Sequence, residues 1–314
     1  MQLRWPICTG ESAEARAVSI LKMLRFVIPK GSFEEKTLAL MDAADLRIVR
    51  GSDREYHGTV DDPRIDRISL LRPQEIPSYI EEGFFDMGLT GLDWVEETGA
   101  KVEVLAELPY TKSYIGGKVK VVLAVSEAAG MERAEELAPD SRVSTEYPNL
   151  TKRFFDELGI PVKIFLSYGA TEAKVPEIVD AIVDVTETGS TLRRNGMKIV
   201  ATLLESPALL IANPESFADP AKRTAMQEIK ILLLGAISAS GKVLVKMNVK
   251  ESDLRAVVAV LPSMEAPTIS RLAEEGFLAI ETVVARTEIN TLIPTLKAKG
   301  ATGILEIPIT KIVD

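Results

Sequence analysis

The sequence has little of the side-chain chemistry on which many enzymes and metal proteins depend. Its 314 residues include one cysteine, Cys8, and one histidine, His57. A single cysteine excludes an internal disulfide and a cysteine metal site. A single histidine excludes a metal site built from several histidines. Neither chemistry can therefore explain what the chain does.

Basic charge and long apolar runs are also scarce. There are 37 Lys and Arg residues against 46 Asp and Glu, which gives a net charge of −9 and a pI of about 5.0. A broad basic face for duplex nucleic acid is not expected, although a local basic pocket for phosphate groups remains open. No apolar run approaches the roughly 20 residues of a membrane helix. These features predict a cytoplasmic protein without nucleic-acid or membrane partners.

The chain is long enough for two or three globular domains. Residues 1–22 lack the apolar core of a signal peptide and are expected to be an N-terminal extension without chemistry. The alternative is a helix over Glu11–Leu24. From Met23 onward, strands and helices alternate along the sequence. This alternation predicts layered α/β architecture with parallel strands.

A different order follows a long helix predicted over Pro220–Ser240. Between Val243 and Ile309 the sequence indicates strand, helix, two strands, helix and strand. That βαββαβ order is typical of ferredoxin-like domains. Apolar and polar residues alternate in its first strand, Val243–Val249, so one face of this sheet is expected to be wetter than the other.

The segment Asp180–Leu192 carries the strongest chemical signal. An apolar strand ends near Asp184, and the loop Thr186–Thr191 leads into a predicted helix. N–H groups at a helix start bind phosphate, and a glycine lets the backbone approach it closely. Asp184 stands at the carboxyl end of its strand, where open α/β sheets bind ligands, and it can accept hydrogen bonds from ribose hydroxyls. The alternative is that the loop merely caps the helix; it is neither a Walker loop nor a dinucleotide-binding turn.

Other strand-to-helix turns carry polar residues as well. Lys30 can place its ammonium against a phosphate, and Glu172 begins a helix predicted over Glu172–Val179. Taken singly, Lys30, Arg50 and Arg72 are equally explained as solvated surface charges, and Glu172 as a helix cap. Trp94 is expected to belong to the core.

Taken together, these segments resemble the ATP phosphoribosyltransferases of histidine biosynthesis, in the long form that has a C-terminal regulatory domain. The resemblance runs from about Met23 to the end of the chain. It is carried by stretches in a shared order: Ile28–Ser32, Leu71–Ile76, Phe85–Gly91, Thr145–Leu150, Gly169–Glu172, Asp180–Leu192 and Glu265–Ile269. Glu187 departs from the small residue often found at its place in the family.

The resemblance implies an α/β catalytic part with two lobes, like a periplasmic binding protein, and a C-terminal ferredoxin-like regulatory domain. The expected division is lobe I over residues 23–112 and 196–218 and lobe II over 113–195. A connecting helix over 219–241 and the regulatory domain over 242–314 complete it. The chain is expected to cross between the lobes near Pro109–Lys118 and again near Asn195–Leu203.

The resemblance also implies a reaction and its participants. The 5-phosphoribosyl group of phosphoribosyl pyrophosphate moves to N1 of ATP, pyrophosphate leaves, and Mg²⁺ is held mainly by that pyrophosphate rather than by protein ligands. The implied catalytic residues are Lys30, Arg50, Glu172 and Asp184. Glu187, Thr188, Gly189, Ser190 and Thr191 would bind phosphoribosyl pyrophosphate. Gly31, Ser32, Arg72, Thr90 and Asp93 would bind ATP.

Histidine is the implied feedback inhibitor, and the expected assembly is a homo-oligomer, from dimer to hexamer. The residues expected to bind histidine are Asn248, Met264, Thr268 and Gly303. Two alternatives without catalysis remain at this stage: a two-lobed solute-binding protein and a ligand-sensing regulator.

Overall fold

The computed structural model describes residues 23–52, 54–110, 117–262 and 266–313. They form two compact units. The first holds the described residues up to Asp42 together with Leu46–Lys230, and the second holds Ala43–Asp45 and the described residues from Ile231 onward. Residues 1–22 and Met264, for which an extension and a histidine contact are predicted, lie outside the described residues.

The first unit contains a seven-stranded sheet, which we call lobe I together with its helices. The strands are β1 (Leu24–Pro29), β2 (Ile48–Val49), β3 (His57–Val60), β4 (Ile65–Leu71), β5 (Met87–Gly91), β6 (Glu103–Leu108) and β12 (Ala208–Ala212). Their order is β2-β3-β4-β1-β5-β12-β6. Strand β1 pairs in parallel with β4 and β5, whereas β12 is antiparallel to both of its neighbours. The parallel layers expected from the sequence are therefore found only at the centre of this sheet.

The helices of lobe I follow the ends of its strands. They are α1 (Glu34–Ala43), α2 (Ile76–Glu81), α3 (Leu92–Thr98) and α6 (Pro214–Ala218). Strand β1 is apolar and buried except at Arg25, as expected for a strand covered on both faces. Helix α3 begins directly after β5 without a connecting loop.

A five-stranded sheet forms the core of what we call lobe II. Its strands are β7 (Val119–Ser126), β8 (Ser141–Thr145), β9 (Val162–Leu166), β10 (Ala181–Thr186) and β11 (Met197–Ser206), in the order β11-β7-β10-β8-β9. Its helices are α4 (Pro148–Leu158) and α5 (Ser190–Arg194). Helix α4 ends at Gly159, which has a left-handed conformation typical of a glycine that follows a helix.

Two local features differ from the sequence-based expectation. Residues Glu172–Val179 do not form an α-helix; a short 3₁₀ turn covers Thr171–Lys174 instead. Pro176 explains this, because proline removes a backbone donor and disfavours the helical conformation of the residue before it.

The second difference concerns the place where the chain returns from lobe II to lobe I, which is expected near Asn195–Leu203. Strand β11 pairs with β7 along its length, and the chain rejoins the first sheet only at β12.

The second unit is built on a four-stranded antiparallel sheet. Helix α7 (Pro220–Ala239) precedes β13 (Lys242–Lys250), α8 (Leu254–Val258), β14 (Thr268–Arg271), β15 (Phe277–Ala285), α9 (Ile289–Ala298) and β16 (Thr302–Pro308). The strand order β14-β15-β13-β16 is that of a ferredoxin-like domain. The alternating residues of β13 divide as predicted: Val243, Val245, Met247 and Val249 are buried in the core.

Among the helices of the described residues, none has the length and apolar character needed to cross a membrane.

Candidate active site

A cavity within the first unit is lined by residues of both lobes. Lobe I contributes the turn after β1, the turn after β4 and the β5–α3 junction. Lobe II contributes the residues after β8, one residue of β10, the first residue of β7 and the last residue of β11. The polar lining residues include Lys30, Ser32, Arg72, Thr90, Asp93, Glu146, Tyr147 and Ser206. Most of these segments follow the carboxyl ends of strands, which is where open α/β sheets bind ligands.

A second pocket lies at the β10–α5 loop, the predicted phosphate loop. It is lined by Glu172, Asp184, Val185, Thr186, Glu187, Thr188, Ser190, Thr191 and Leu192. The side chains of Thr188, Ser190 and Thr191 are exposed, so their hydroxyls face the pocket side of the loop or solvent rather than the core. Val185 also lines the first cavity, so the two recesses adjoin at this residue.

Gly189 shapes this loop in a way that the sequence did not indicate. It is buried and has φ +71°, a left-handed conformation that favours glycine. Its N–H donates to Thr186 Oγ1 at 2.9 Å. A Cβ at this position would lie 2.9 Å from Arg193 Nη1 and 3.0 Å from Ile199 Cδ1. The turn itself therefore favours glycine at this position, whether or not a phosphate approaches its Cα.

Arg193 stabilises the same loop. Its Nη2 donates to the carbonyl of Thr188 at 2.8 Å, and its own N–H donates to the carbonyl of Gly189 at 3.0 Å. Helix α5 has only five residues, so its dipole is small, and the binding capacity of the loop rests mainly on hydroxyls and local N–H groups.

The two acidic residues predicted at this pocket both line it. Asp184 is half-buried in β10, and its Oδ1 accepts a hydrogen bond from the N–H of Val185 at 2.7 Å. Glu172 lies in the 3₁₀ turn that replaces the predicted helix. The two carboxylates therefore reach the same pocket from different segments, as the sequence-based hypothesis requires.

The two predicted cations after β1 and β2 have different surroundings. Lys30 lines the cavity, and its ammonium lies 4.3 Å from the centroid of the Tyr56 ring. The guanidinium of Arg50 contacts Glu34 of α1, with 3.0 Å between Nη1 and Oε1, and its side chain is only 8% exposed. Among the described residues that line the cavity, Lys30 is present and Arg50 is not.

Of the five predicted ATP-binding residues, Ser32, Arg72, Thr90 and Asp93 line the first cavity and Gly31 does not. A Cβ on Gly31 would lie 3.3 Å from Arg72 Nη1, so glycine at this position leaves room for the arginine. Ser32 lies in the turn before α1. Thr90 is buried at the end of β5, and its hydroxyl donates to the carbonyl of Pro73 at 3.0 Å.

Asp93 is the most buried carboxylate of this cavity and interacts with two hydroxyls. Its Oδ1 accepts from Ser206 Oγ at 2.6 Å, and its Oδ2 accepts from Tyr147 Oη at 2.7 Å. Burial raises the pKa of Asp93, and these hydrogen bonds oppose only part of that effect. Burial together with the neighbouring charge of Asp93 raises the pKa of Tyr147 well above its ordinary value.

Several lining residues were not singled out by sequence reasoning. Tyr147 entered only as part of the stretch Thr145–Leu150 that carries the resemblance, although its ring stacks on Trp94 with 4.4 Å between centroids. Trp94 itself is packed in the core, as predicted. Burial raises the pKa of Glu146, and the charges of Arg72 and Lys174 oppose this shift. The position of Glu146 after a strand was the available signal.

The predicted histidine-binding residues of the second unit are only partly brought together. Asn248 of β13 and Gly303 of β16 are close, because a Cβ on Gly303 would lie 3.5 Å from Asn248 Nδ2. Gly303 has φ +56°. Thr268 is exposed on β14, which β15 separates from β13.

Comparisons with known proteins cover nearly the whole chain. A family model described as ATP phosphoribosyltransferase matches residues 72–234, and a model described as the C-terminal domain of HisG matches residues 239–311. A protein named ATP phosphoribosyltransferase from Solibacter usitatus is 44% identical over 93% of this chain and 99% of its own length. One of the same name from Koribacter versatilis is 44% identical over 92% of this chain and 99% of its own.

A solved structure supports the same relationship. The ATP phosphoribosyl transferase (HisG:HisZ) complex from Thermotoga maritima contains a chain that superposes with a TM-score of 0.55 and 26% identity. The match covers 66% of this chain and 98% of that one.

Proposed function

This chain belongs to the ATP phosphoribosyltransferase family in its long form, which has a C-terminal domain, and on that premise we propose how its residues carry out the reaction. Enzymes of this family transfer a phosphoribosyl group to ATP in the first step of histidine biosynthesis, and they require a divalent metal ion. The relatives favour this activity over a non-catalytic solute-binding or sensing role.

The β10–α5 pocket is the proposed site for phosphoribosyl pyrophosphate. The exposed hydroxyls of Thr188, Ser190 and Thr191 and the local N–H groups would bind the 5′-phosphate. Asp184 and Glu172 would accept hydrogen bonds from the ribose hydroxyls. Gly189 would contribute through the conformation of the turn, and Glu187, which lines the pocket, would point its carboxylate away from the phosphate.

The first cavity is the proposed site for ATP. Gly31, Ser32 and Arg72 would contact the nucleotide directly. Thr90 and Asp93 are buried and already bonded to Pro73, Ser206 and Tyr147, so they would act by fixing the walls of the cavity. The observation that carries the proposal is that Val185 lines both recesses, since the acceptor nitrogen and the ribose must meet at one place.

The chemistry requires positioning and charge neutralisation more than proton transfer. Adenine N1 is unprotonated at neutral pH and can attack the ribose without a strong base. As pyrophosphate leaves, positive charge develops at the reacting carbon and negative charge on the leaving group. Lys30 and Arg50 would stabilise the leaving group, Arg50 after exchanging its contact with Glu34. The products are N1-(5-phosphoribosyl)-ATP and pyrophosphate.

Mg²⁺ is the proposed metal ion, held mainly by the pyrophosphate. The described residues contain no cluster of three His, Cys, Asp or Glu side chains arranged to hold a metal. Asp184 and Glu172 line the β10–α5 pocket and would add carboxylate oxygens, the donor type that Mg²⁺ prefers, to an ion that arrives with the pyrophosphate. When bound, the ion would neutralise the charge that develops on the leaving group.

Because the chain belongs to the long form of the family, we also propose how the enzyme is regulated and how it assembles. Histidine would bind the second unit near Asn248 and Gly303, with Thr268 and Met264 as further contacts. Histidine inhibits at a distance only if it binds one arrangement of the enzyme better than another. Because such coupling is reciprocal, the substrates must then change the affinity for histidine by the same factor by which histidine changes the affinity for the substrates. We further propose a cytoplasmic homo-oligomer, from dimer to hexamer.

The direct test measures pyrophosphate release from ATP and phosphoribosyl pyrophosphate in the presence of Mg²⁺. Two glycines at opposite ends of α5 provide a matched pair of variants. Gly189→Ala and Gly196→Ala both place a side chain at positive φ, +71° and +66° respectively, but only Gly189 has neighbours that a Cβ would meet. We expect Gly189→Ala to weaken phosphoribosyl pyrophosphate binding at least about tenfold, equivalent to about 1.4 kcal/mol, and Gly196→Ala to have little effect.

Equal affinities of the two variants for phosphoribosyl pyrophosphate would contradict the assignment of the loop. Wild-type protein that releases no pyrophosphate with both substrates would contradict the proposed reaction itself.

A further inference from the structure

Helix α3 belongs to lobe I by its connection to β5, yet its side chains contact lobe II. Both carboxylate oxygens of Glu97 accept backbone hydrogen bonds from the start of α4: Oε1 from the N–H of Asn149 and Oε2 from the N–H of Leu150, each at 2.9 Å. In return, Asn149 Nδ2 donates to the carbonyl of Glu97 at 2.9 Å. Glu97 is only 7% exposed.

The start of α4 depends on this carboxylate. Its first residue is Pro148, which has no N–H, and the preceding Tyr147 provides no side-chain cap. The next two N–H groups have no partner within the helix and need an external acceptor. Glu97 supplies it, and its negative charge at a helix N-terminus is electrostatically favourable. Burial raises the pKa of Glu97, and the two N–H donors oppose that shift.

Two other residues of α3 engage the same part of lobe II. Asp93 accepts the hydrogen bond from Tyr147, the residue directly before α4. Trp94 stacks on the Tyr147 ring and is packed in the core of lobe II with Val121 and Leu123. Three of the seven residues of α3 therefore hold one segment, the junction between β8 and α4.

We propose that α3 is a clamp that fixes the β8–α4 junction against lobe I. Glu97 is then a positioning residue for the first cavity, the proposed ATP site. The junction carries Glu146 and Tyr147, which line that cavity. The β10–α5 pocket is built from other segments. Loosening the clamp therefore disturbs the cavity and leaves the loop pocket intact; this rests on the proposed assignment of ATP to the cavity.

The kinetic test compares Glu97→Ala with Glu97→Gln in the full-length protein. We expect Glu97→Ala to raise the KM for ATP about fivefold or more while the Kd for phosphoribosyl pyrophosphate stays within about twofold. Glu97→Gln keeps one acceptor oxygen but sets an NH₂ group against the second N–H, so we expect it to restore part of the wild-type KM. Asp156→Ala is the matched control, because Asp156 is an exposed carboxylate on α4 whose salt bridge to Lys152 stays within that helix.

A second measurement follows the clamp without using the reaction. The chain has two tryptophans, Trp5 and Trp94, so Trp5→Phe leaves Trp94 as the sole tryptophan, which can be excited selectively over the tyrosines. In this background we expect Glu97→Ala to shift Trp94 emission to longer wavelength, since the Trp94–Tyr147 stack becomes wetter, and Asp156→Ala to leave it unchanged.

The outcomes separate the clamp from the proposed function. Glu97→Ala with wild-type emission and wild-type KM for ATP overturns the clamp. An equal loss of affinity for both substrates indicates general loss of structure and overturns the positioning role. If the wild-type protein performs no transfer but Glu97→Ala still shifts the Trp94 emission, the clamp is supported and the assignment of ATP to the cavity is contradicted.

Discussion

Two buried aspartates stand at opposite ends of the same strand and have opposite electrostatic surroundings. Asp86, just before β5, is fully buried and forms ion pairs with Arg25 and Lys222. Asp93, just after β5, is bonded to the hydroxyls of Ser206 and Tyr147. Burial raises the pKa of both carboxyls, but the hydrogen bonds from Arg25 and Lys222 outweigh it at Asp86 and lower that pKa to about 2. At Asp93 burial prevails and the pKa is raised.

The difference follows the polarity of the strand. At the amino end of β5, Asp86 joins Arg25 of β1 to Ser216 of α6 and Lys222 of α7, so its charge stabilises the packing of these elements. At its carboxyl end, Asp93 faces the cavity, where a carboxylate without a described ion pair is costly to bury. Perturbed carboxyls of this kind mark functional sites more often than ordinary surface acids do. The comparison therefore predicts that Asp86 contributes mainly to stability and Asp93 mainly to the proposed function.

The largest expected effect comes from removing the ion-paired aspartate. Asp86→Ala leaves Arg25 and Lys222 without their shared partner, and breaking a buried pair in this way costs several kcal/mol. We expect the free energy of unfolding to fall by about 3 kcal/mol, near the lower limit because both cations are partly exposed. Turnover per folded molecule should change little. Urea denaturation followed by Trp94 emission measures the first quantity and steady-state kinetics the second.

Asp156→Ala serves as the control for this experiment. Its salt bridge is exposed, so its loss should change the free energy of unfolding by less than about 0.5 kcal/mol. A tenfold loss of turnover in folded Asp86→Ala would show that the division between the two ends of β5 does not hold.

A smaller effect is expected when pH is changed. The contributions of the two aspartates to the free energy of unfolding should change in opposite directions with pH. Asp86 has a folded pKa of about 2, below its ordinary 3.8. Its stabilising contribution is therefore fully present above pH 3.8 and is lost as pH falls through about 2. The full contribution is about 2 kcal/mol. Asp93 has a raised pKa, so its contribution is present below the unfolded value and is lost as pH rises through the folded pKa.

Denaturation of Asp86→Asn and Asp93→Asn from pH 2.5 to 7 tests this prediction. The stability advantage of wild type over Asp86→Asn should shrink as pH falls, and that over Asp93→Asn should grow. Parallel pH profiles for the two variants would contradict the electrostatic contrast.

Local sequence patterns predicted much of the fold and one half of the candidate site. The run of apolar residues ending at Asp184, followed by Thr, Gly and Ser, predicted both a strand end and a ligand pocket. In the second unit the alternation along β13 predicted which face is buried. In each case neighbours along the chain determine the outcome.

The other half of the site depends on residues that are far apart in sequence. Asp93 and Tyr147 are separated by 54 positions, and Glu97 and Leu150 by 53. Each of these residues has an ordinary local interpretation, such as a helix acid or a helix start. Only the packing of α3 against lobe II brings them together. A single sequence, taken by itself, therefore does not reveal their pairing.

The smallest expected effect tests whether Asp93 acts through Tyr147 or by itself. Tyr147→Phe keeps the ring that stacks on Trp94 and removes only the hydroxyl. We expect it to cost about 1 kcal/mol of unfolding free energy, because Asp93 loses one of its two hydroxyl donors but can take up a proton in response. In a double-mutant cycle with Asp93→Asn, the two effects should be non-additive, with a coupling energy of about 1 kcal/mol in stability and a matching non-additivity in the KM for ATP. Additive effects would mean that Asp93 contacts the nucleotide independently of Tyr147. The carboxyl end of β5 would then provide a ligand for ATP rather than a support for the cavity.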